Sequence, residues 1–335
     1  MWELLMQSNS QLETRKGDLV MLTVSVVICA YTEDRWDDTL RAVASVQSQE
    51  PAPLELILVI DYNPELYKRF VERLPDVRVV ANGNERGLSG ARNMGVALAS
   101  GDIVAFLDDD GAAQPGWLSE LMRSYNDDPN VLGVGGRAVP GWATQRPSWW
   151  PGEFDWVIGC AYTGMQPGVV RNLQGGNSSY RRDLFEIGGF ASDIGRTARS
   201  RLPLAGEEAE FCIRALQQRP RGVFVYNDQA VMVHRVPRAR ERFSYFRTRC
   251  YSEGLSKARV TKNVGVGAGL STERSYSTVT LPAGVIRGLR RTARGDWTGL
   301  LRAGAIIVGL LYTTLGYGRG VVLELLARRG VPGEG

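Results

Sequence analysis

The chain has a single histidine, His234, and only four lysines among its 335 residues. One histidine excludes metal centres that need two or more imidazoles, but it leaves room for one imidazole beside carboxylates. The four cysteines, Cys29, Cys160, Cys212 and Cys250, are far apart and lack the spacing of zinc ligands. We therefore expect buried free thiols and a reducing compartment.

Several sequence signals are also missing. No P-loop is present, and no Gly-x-Gly-x-x-Gly follows the first apolar run, which argues against a Walker NTPase and an ordinary dinucleotide dehydrogenase. Residues 1–6 lack a basic region and a long apolar core, so we expect no signal peptide. The charge-free stretch at 303–318 has 16 residues, fewer than the roughly 20 that span a bilayer.

The net charge of +4 conceals an uneven distribution of charge. Residues 235–302 hold 15 Lys or Arg and 4 Asp or Glu, a net charge of +11, so the rest of the chain is acidic. A basic segment can face nucleic acid, an anionic membrane surface or a phosphorylated ligand. We expect no nucleic-acid partner, because the segment lacks regularly interleaved aromatic residues and any known nucleic-acid-binding motif.

Apolar runs alternate with helical patterns between residues 22 and 110. The runs predict four buried strands, at 22–29, 54–60, 77–81 and 103–107. Strand and helix in alternation predict an α/β fold, with a mostly parallel sheet flanked by helices. By composition we expect a flexible arm at 1–20, a domain at 21–236 with a nucleotide-binding half at about 22–110 and an acceptor half at about 111–236, and a basic, mainly helical extension at 237–335.

The extension contains a candidate membrane-surface helix. The charge-free stretch is flanked by Arg302 and Arg319, and four more arginines precede it. This pattern is typical of a helix that lies in a membrane interface, here through residues 285–320. A buried helix or a homodimer interface is the alternative.

Three consecutive carboxylates, Asp108, Asp109 and Asp110, follow directly on the apolar run at 103–107. Three adjacent charges cannot stay buried without partners, so they must lie at the strand's end, where α/β sheets bind ligands. Carboxylate oxygens suit Mg²⁺ or Mn²⁺, often shared with substrate phosphates. The triplet predicts a metal–diphosphate site, and a solvated turn closed by Gly111 is the alternative.

Three other groups are candidates for chemistry. Arg92, in a glycine-rich helix entry, can bind phosphate or form a structural ion pair. One of the three glutamates at 207–210 can act as a general base, or all three can complement a helix dipole. His234 ends an apolar run, so it also lies at a strand terminus, as a metal ligand or as a structural histidine.

In their order along the chain, five blocks resemble the family 2 glycosyltransferases, which have a GT-A fold. The resemblance covers roughly residues 22–235, and the segment at 175–182 looks like the family's acceptor side. The five blocks are residues 24–33, 56–61, 87–95, 101–110 and 207–214.

The resemblance implies inverting transfer of a sugar from a nucleotide-sugar donor, usually a UDP-sugar, to a hydroxyl acceptor, with Mn²⁺ or Mg²⁺ as cofactor. Asp110 and His234 would bind the metal, and Glu208 would be the catalytic base. Asp61 would accept a hydrogen bond from the nucleobase, and Arg92 would lie near the phosphates. The implied donor and cofactor residues are Ala30, Tyr31, Glu33, Asp61, Arg92, Asp108 and Asp109.

The chain departs from the family pattern at several positions. Cys29 and Thr32 replace the usual proline and asparagine after the first strand. Glu208 stands where an aspartate is usual, which leaves Glu207 or Glu210 as alternative bases. The Gln-x-x-Arg-Trp motif of processive synthases is missing, which favours the addition of one sugar per encounter.

Two other functions fit parts of the sequence. Sugar-phosphate nucleotidyltransferases have a similar fold, but the loop at 30–35 has no glycine where those enzymes carry a glycine-rich loop. A catalytically inactive scaffold at a membrane surface is the other alternative, and it would explain the basic segment at 235–302 and the apolar stretch at 303–318. For the enzyme, the same extension favours a lipid-linked or anionic acceptor and a cytoplasmic location, peripheral to the inner face of the membrane.

Overall fold

The computed structural model describes residues 22–192, 205–265 and 275–329, so the predicted arm at 1–20 lies outside it. The four predicted strands are present, and their ends differ from the prediction by at most two residues. The elements of this half are β1 (Val24–Ala30), α1 (Trp36–Gln47), β2 (Glu55–Ile60), α2 (Pro64–Arg73), β3 (Arg78–Ala81), α3 (Leu88–Leu98) and β4 (Ile103–Asp108).

Local sequence explains these elements. β1 and β4 are buried along almost their whole length, as expected for central strands covered by helices on both faces. α2 begins at a proline, and the side chain of Asn63 caps it by accepting a hydrogen bond from the Leu66 amide at 3.0 Å.

After β4 the described part of the chain adds five strands, of which β6 and β9 are the longest in the sheet, and two α-helices, with 3₁₀ turns at Gly152–Ile158, Arg182–Ile187 and Arg238–Glu241. β9 ends in the run that contains the single histidine. The elements are β5 (Gly111–Ala113), α4 (Trp117–Asp127), β6 (Val131–Trp142), β7 (Gly168–Val170), β8 (Asn177–Arg181), α5 (Glu207–Gln218) and β9 (Val223–Val236).

All described strands belong to one sheet of order β3-β2-β1-β4-β8-β6-β9-β5, with β7 paired to β9. β1 to β4 are parallel, and β8 runs antiparallel to both β4 and β6. The sheet is therefore parallel in its first half and mixed beyond it. β5 pairs antiparallel with β9 and sets Gly111 opposite His234, so the end of β9 lies beside the residues that follow β4.

Two hydrophobic clusters cover the two faces of the sheet. Because side chains alternate along a strand, Val26 and Ile28 of β1 face one cluster and Val27 faces the other. In the second cluster, Phe106 of β4 contacts Tyr180 of β8 edge to face. The sheet is thus buried on both sides.

The extension is helical where the structure describes it, with α6 (Phe243–Val264), α7 (Leu281–Ala293) and α8 (Thr298–Arg329). α6 is packed onto the domain, since Phe246 is buried against Trp150 and Phe154. α6 and α8 approach until their backbones touch. A Cβ added at Gly316 would lie 2.0 Å from the Tyr251 carbonyl oxygen, so glycine is required there.

The helix α8 exposes an apolar face. Ile307, Leu311 and Leu315 are each more than half exposed. The stretch Thr298–Leu326 is long and apolar enough to cross a membrane by length and composition alone, a test that a core helix can also pass. The shortfall in length inferred from the stretch at 303–318 was wrong, because apolar residues continue the helix beyond the arginine on each side.

The predicted free cysteines are confirmed. Cys160, Cys212 and Cys250 are buried, Cys29 is half-buried, and all four are free thiols. Burial raises the pKa of the Cys29 thiol to about 12, so this cysteine beside the cavity described below is a poor nucleophile.

Candidate active site

A cavity of about 1140 Å³ opens at the carboxyl ends of β1, β2 and β4. Its wall extends from these strand ends across the start of α5 to α6 and α8. Nine of the ten predicted site residues line it: Ala30, Tyr31, Asp61, Arg92, Asp108, Asp109, Asp110, Glu208 and His234. Among the described residues, Glu33 is the predicted one outside the wall; its carboxylate pairs with Arg69 at 3.1 Å.

Asp108, Asp110 and His234 form a candidate metal centre. Each can offer one ligand atom, and these atoms lie within 4.8 Å of one another. His234 Nε2 lies 3.1 Å from Asp110 Oδ1. Gly159, with φ of +78°, packs against the imidazole and would bring an added Cβ to 3.4 Å from its Cε1 atom. Two carboxylates with one imidazole are a donor set that suits Mn²⁺ or Mg²⁺.

Two arginines that the sequence did not identify form ion pairs with the aspartate triplet. Arg35 forms ion pairs with Asp109 and, at 3.0 Å, with Asp110 Oδ2. Arg240 Nη2 lies 3.7 Å from that oxygen. Burial raises the pKa of Asp109 above its usual range. Burial also opposes ionisation of Asp110, but His234, Arg35 and Arg240 outweigh it and hold the pKa of Asp110 below its usual range.

Arg92 joins the metal centre to the start of α5. Its Nη1 donates to Glu208 Oε1 at 2.5 Å, and its Nη2 lies 3.6 Å from Asp108 Oδ1. Burial lowers the pKa of Arg92, but Glu208, Asp108 and Glu207 outweigh this and keep the guanidinium charged. Arg92 therefore forms ion pairs, which was one of its two predicted roles, and it does so with carboxylates that line the cavity.

Gly175 and Gly176 allow these carboxylates to reach the cavity. A Cβ at Gly175 would lie 1.6 Å from Glu208 Oε1, and one at Gly176 would lie 2.4 Å from Asp108 Oδ2. The Asp108 amide donates to the Gly176 carbonyl at 3.1 Å. Any larger residue here would displace a carboxylate, so the glycine pair shapes the site.

The three glutamates at the start of α5 have different surroundings. Glu208 lines the cavity with its side chain 13% exposed, and Glu207 lines it with 3% exposed. Glu210 lies outside the described cavity wall and pairs with Arg214 at 2.8 Å. Arg214 in turn donates to the carbonyl of Gly189. Glu208 is therefore the most accessible of the three carboxylates.

Asp61 is already engaged by the protein. Its Oδ1 accepts from the Asn82 side chain at 2.6 Å, and its Oδ2 accepts from the Gly87 amide at 3.0 Å. These bonds attach the end of β2 to the entry of α3. Tyr31, 52% exposed, flanks the same part of the wall, and its ring lies 5.7 Å from the Arg35 guanidinium.

Comparison with known proteins gives two kinds of similarity. Residues 25–188 match the family described as Glycosyl transferase family 2. The glucosyl-dolichyl phosphate glucuronosyltransferase of Haloferax volcanii is 36% identical over 242 residues, which cover 70% of this chain and 76% of that protein.

Solved structures share the fold. A mannosyltransferase from Pyrobaculum calidifontis, solved with GDP-Man and Mn²⁺, has a TM-score of 0.53 at 15% identity and covers 92% of this chain and 94% of its own. GalNAc-T7, solved with UDP, GalNAc and Mn²⁺, has a TM-score of 0.50 at 18% identity, over 77% of this chain and 54% of its own. The predicted α/β GT-A fold is thereby confirmed.

Proposed function

This chain belongs to the family 2 glycosyltransferases, and on that premise we propose that it transfers one sugar from a UDP-sugar to a hydroxyl acceptor with inversion at the anomeric carbon. The broader activity follows from the family: the chain is a glycosyltransferase that uses a nucleotide-sugar donor. The finer proposal is carried by one observation. A candidate metal cluster, a buried arginine and a glutamate converge on one cavity.

The donor is proposed to lie across the carboxyl ends of β1, β2 and β4. Tyr31 and Asp61 line the part of the cavity proposed for the nucleobase. Arg92, Arg35 and Arg240 supply positive charge near the triplet, as a diphosphate requires. Glu33 lies outside the cavity wall and pairs with Arg69, so its role in donor binding stays a prediction.

A divalent cation fits the cluster of Asp108, Asp110 and His234, because its carboxylate and imidazole atoms are close together and face the cavity. When bound, such a cation offsets the charge that develops on a leaving diphosphate. The choice of Mn²⁺ or Mg²⁺ is open, since carboxylate oxygens suit both ions.

Glu208 is the proposed general base. It lines the cavity, and Arg92 fixes one of its oxygens at 2.5 Å. In the proposed reaction Glu208 takes the acceptor's hydroxyl proton while that oxygen attacks the anomeric carbon from the face opposite the leaving group. The carbon–oxygen bond to the nucleoside diphosphate breaks, and the configuration inverts.

We propose a lipid-linked acceptor and peripheral contact with the cytoplasmic face of a membrane. The relative from Haloferax volcanii is named for a dolichyl phosphate substrate. α8 packs against α7 through Gly288 and Gly299. α7 carries Ile286 and Leu289, both about half exposed, close in sequence to Arg290, Arg291 and Arg294. Exposed apolar residues next to basic ones suit an anionic membrane.

The proposed reaction predicts Mn²⁺-dependent binding of a UDP-sugar. A UDP-sugar held at about 100 times its Kd should stabilise the folded chain by about 2.7 kcal/mol, measured by thermal unfolding across a panel of nucleotide sugars. Nuclear magnetic resonance of the product should show the inverted anomer, with nucleoside diphosphate released. Retained configuration would contradict Glu208 as a base in a single displacement, and release of pyrophosphate would indicate a nucleotidyltransferase.

Membrane contact predicts a loss of lipid binding in the double variant Ile307→Glu/Leu311→Glu. Both side chains are more than half exposed on α8, and burying such a side chain in lipid is worth about 1.5–3 kcal/mol. Flotation with vesicles containing anionic lipid should therefore recover at least about tenfold less variant than wild type. The matched control is Leu54→Glu, since Leu54 is 56% exposed in the catalytic domain. Equal flotation of all three proteins would contradict the contact.

A further inference from the structure

Gln174 contributes a polar side chain to the cavity wall, and the proposed reaction does not use it. It directly precedes Gly175 and Gly176, which also line the cavity but have no side chains. The family resemblance of this segment began at residue 175, so it assigned no role to Gln174. Within the segment 174–176, Gln174 is the residue whose side chain can contact a ligand.

The amide oxygen of Gln174 is a buried acceptor that lacks a hydrogen bond. The residue as a whole is half-buried, but its Oε1 atom is almost inaccessible to solvent and has no hydrogen-bond partner among the described residues. Most buried polar atoms in proteins are paired, because an unpaired one lowers the stability of the fold. Packing alone would therefore favour an apolar side chain of the same size at this position.

The segment 174–176 lies between the proposed general base and the candidate metal cluster. A Cβ added at Gly175 would collide with Glu208 Oε1, and one added at Gly176 would collide with Asp108 Oδ2. In the proposed reaction, the anomeric carbon lies between an acceptor oxygen at Glu208 and a leaving oxygen at the metal cluster. The sugar ring of the donor must therefore lie beside this segment.

The backbone of the segment is anchored to the sheet. The carbonyl of Gln174 accepts from the Asn177 amide at 3.4 Å. The Asn177 side chain accepts from Trp117 Nε1 at 2.7 Å and donates to the Ala230 carbonyl at 3.0 Å. The last torsion of a glutamine side chain is broad, so the amide of Gln174 can turn its oxygen toward a ligand while the backbone stays in place.

We propose that Gln174 Oε1 accepts a hydrogen bond from a hydroxyl group on the sugar ring of the donor, and that this bond helps to select the sugar. The proposal rests on the UDP-sugar donor of the proposed function and adds a residue that recognises the sugar rather than the nucleotide. A site that hydrogen-bonds a substrate hydroxyl discriminates against a substrate without it, because the polar group of the protein is then left unpaired.

A space-filling glutamine and a sugar-binding glutamine predict different effects for Gln174→Met. Methionine keeps the length of the side chain and removes the unpaired oxygen. With either role, the protein without ligand should be at least as stable as wild type. A space-filling role leaves the affinities for UDP and for a UDP-sugar in their original ratio, whereas a sugar-binding role lowers the affinity for the UDP-sugar alone.

The experiment measures the Kd values of UDP, UDP-glucose, UDP-galactose, UDP-N-acetylglucosamine and UDP-glucuronate by calorimetry, with the full chain in saturating Mn²⁺. Wild type should bind at least one of the four sugar nucleotides more tightly than UDP. Gln174→Met should weaken binding of that sugar nucleotide by about tenfold, the effect of one hydroxyl left unpaired, and should change the Kd of UDP by less than about twofold. Thermal unfolding without ligand should occur at the wild-type temperature or above it.

The matched control is Gln218→Met, at an exposed position of α5 outside the described cavity wall, and it should behave as wild type. Gln174→Glu keeps an acceptor oxygen, so it should preserve the ratio of the two affinities while its charge weakens both. Gln174→Leu replaces Gln174→Met if the latter fails to fold.

Three results would overturn the proposal. Gln174→Met could leave the ratio of UDP to UDP-sugar affinity unchanged, it could strongly destabilise the protein without ligand, or wild type could bind none of the four sugar nucleotides more tightly than UDP. Each of these results is compatible with UDP binding to wild type and then contradicts the role of Gln174 alone. Failure of wild type to bind UDP would contradict the proposed function as well, so the two failures are distinguishable.

Discussion

Asp110→Asn should lower kcat by about a thousandfold, because it removes the carboxylate shared by His234, Arg35 and Arg240. Removing one electrostatic stabiliser of a developing charge commonly costs 10²–10³ in rate, and the loss of a metal ligand lies at the upper end of about that range. The asparagine keeps the volume of the side chain, which limits damage to the core. Turnover of nucleotide sugar in saturating Mn²⁺ measures the effect.

Two companion measurements separate loss of the metal from loss of the fold. In Asp110→Asn, the Mn²⁺-dependent part of the stabilisation by nucleotide should vanish while the apo protein still unfolds cooperatively. Asp76→Asn is the control, since Asp76 is exposed and outside the described cavity wall, and it should behave as wild type. Retained metal-stimulated turnover in Asp110→Asn would remove Asp110 from the metal site.

Glu208→Gln should lower kcat by about 100- to 10,000-fold, which is the usual contribution of a general base. Donor binding should change little, because the glutamine still reaches Arg92 and the candidate metal ligands are intact. Single-turnover kinetics with saturating donor and acceptor measure the chemical step, and calorimetry measures the donor Kd. A KM effect on the donor with unchanged kcat would place Glu208 in donor binding instead.

The neighbouring glutamates provide the comparison that the sequence left open. Glu210→Gln removes an ion pair with Arg214 outside the described cavity wall, so it should lower stability more than kcat. Glu207→Gln alters a buried carboxylate 3.6 Å from Arg92. If Glu207→Gln abolished turnover and Glu208→Gln did not, the general base would be Glu207.

The sequence predicted the first half of the fold well because its signals there are local. A buried parallel strand needs a continuous apolar run, and Ile103–Asp108 and Glu55–Ile60 show this pattern without help from distant residues. The carboxylates that end such a run must lie at the sheet edge, so the position of Asp110 in the cavity also followed from local sequence.

The parts that were missed depend on contacts distant in sequence. Nothing local distinguishes Arg35 and Arg240 from the other arginines of this arginine-rich chain, since both are identified by meeting Asp110 across the cavity. The role of Gly175 is set by Glu208, 33 residues later. The length of α8 was underestimated because Arg302 and Arg319 were read as boundaries, whereas the helix continues through both.

The backbone contact between α6 and α8 has a consequence for acceptor choice. With Gly254 and Gly316 each lacking a side chain at that contact, α8 cannot tilt away from the catalytic domain without opening a gap. Were α8 to rest on a bilayer, the reaction centre would stand at one fixed height above the lipid. The close contact at the two glycines would then select acceptors by the distance between their hydroxyl and the bilayer. An acceptor whose hydroxyl lies at that distance would reach the reaction centre, and a shorter or longer one would not.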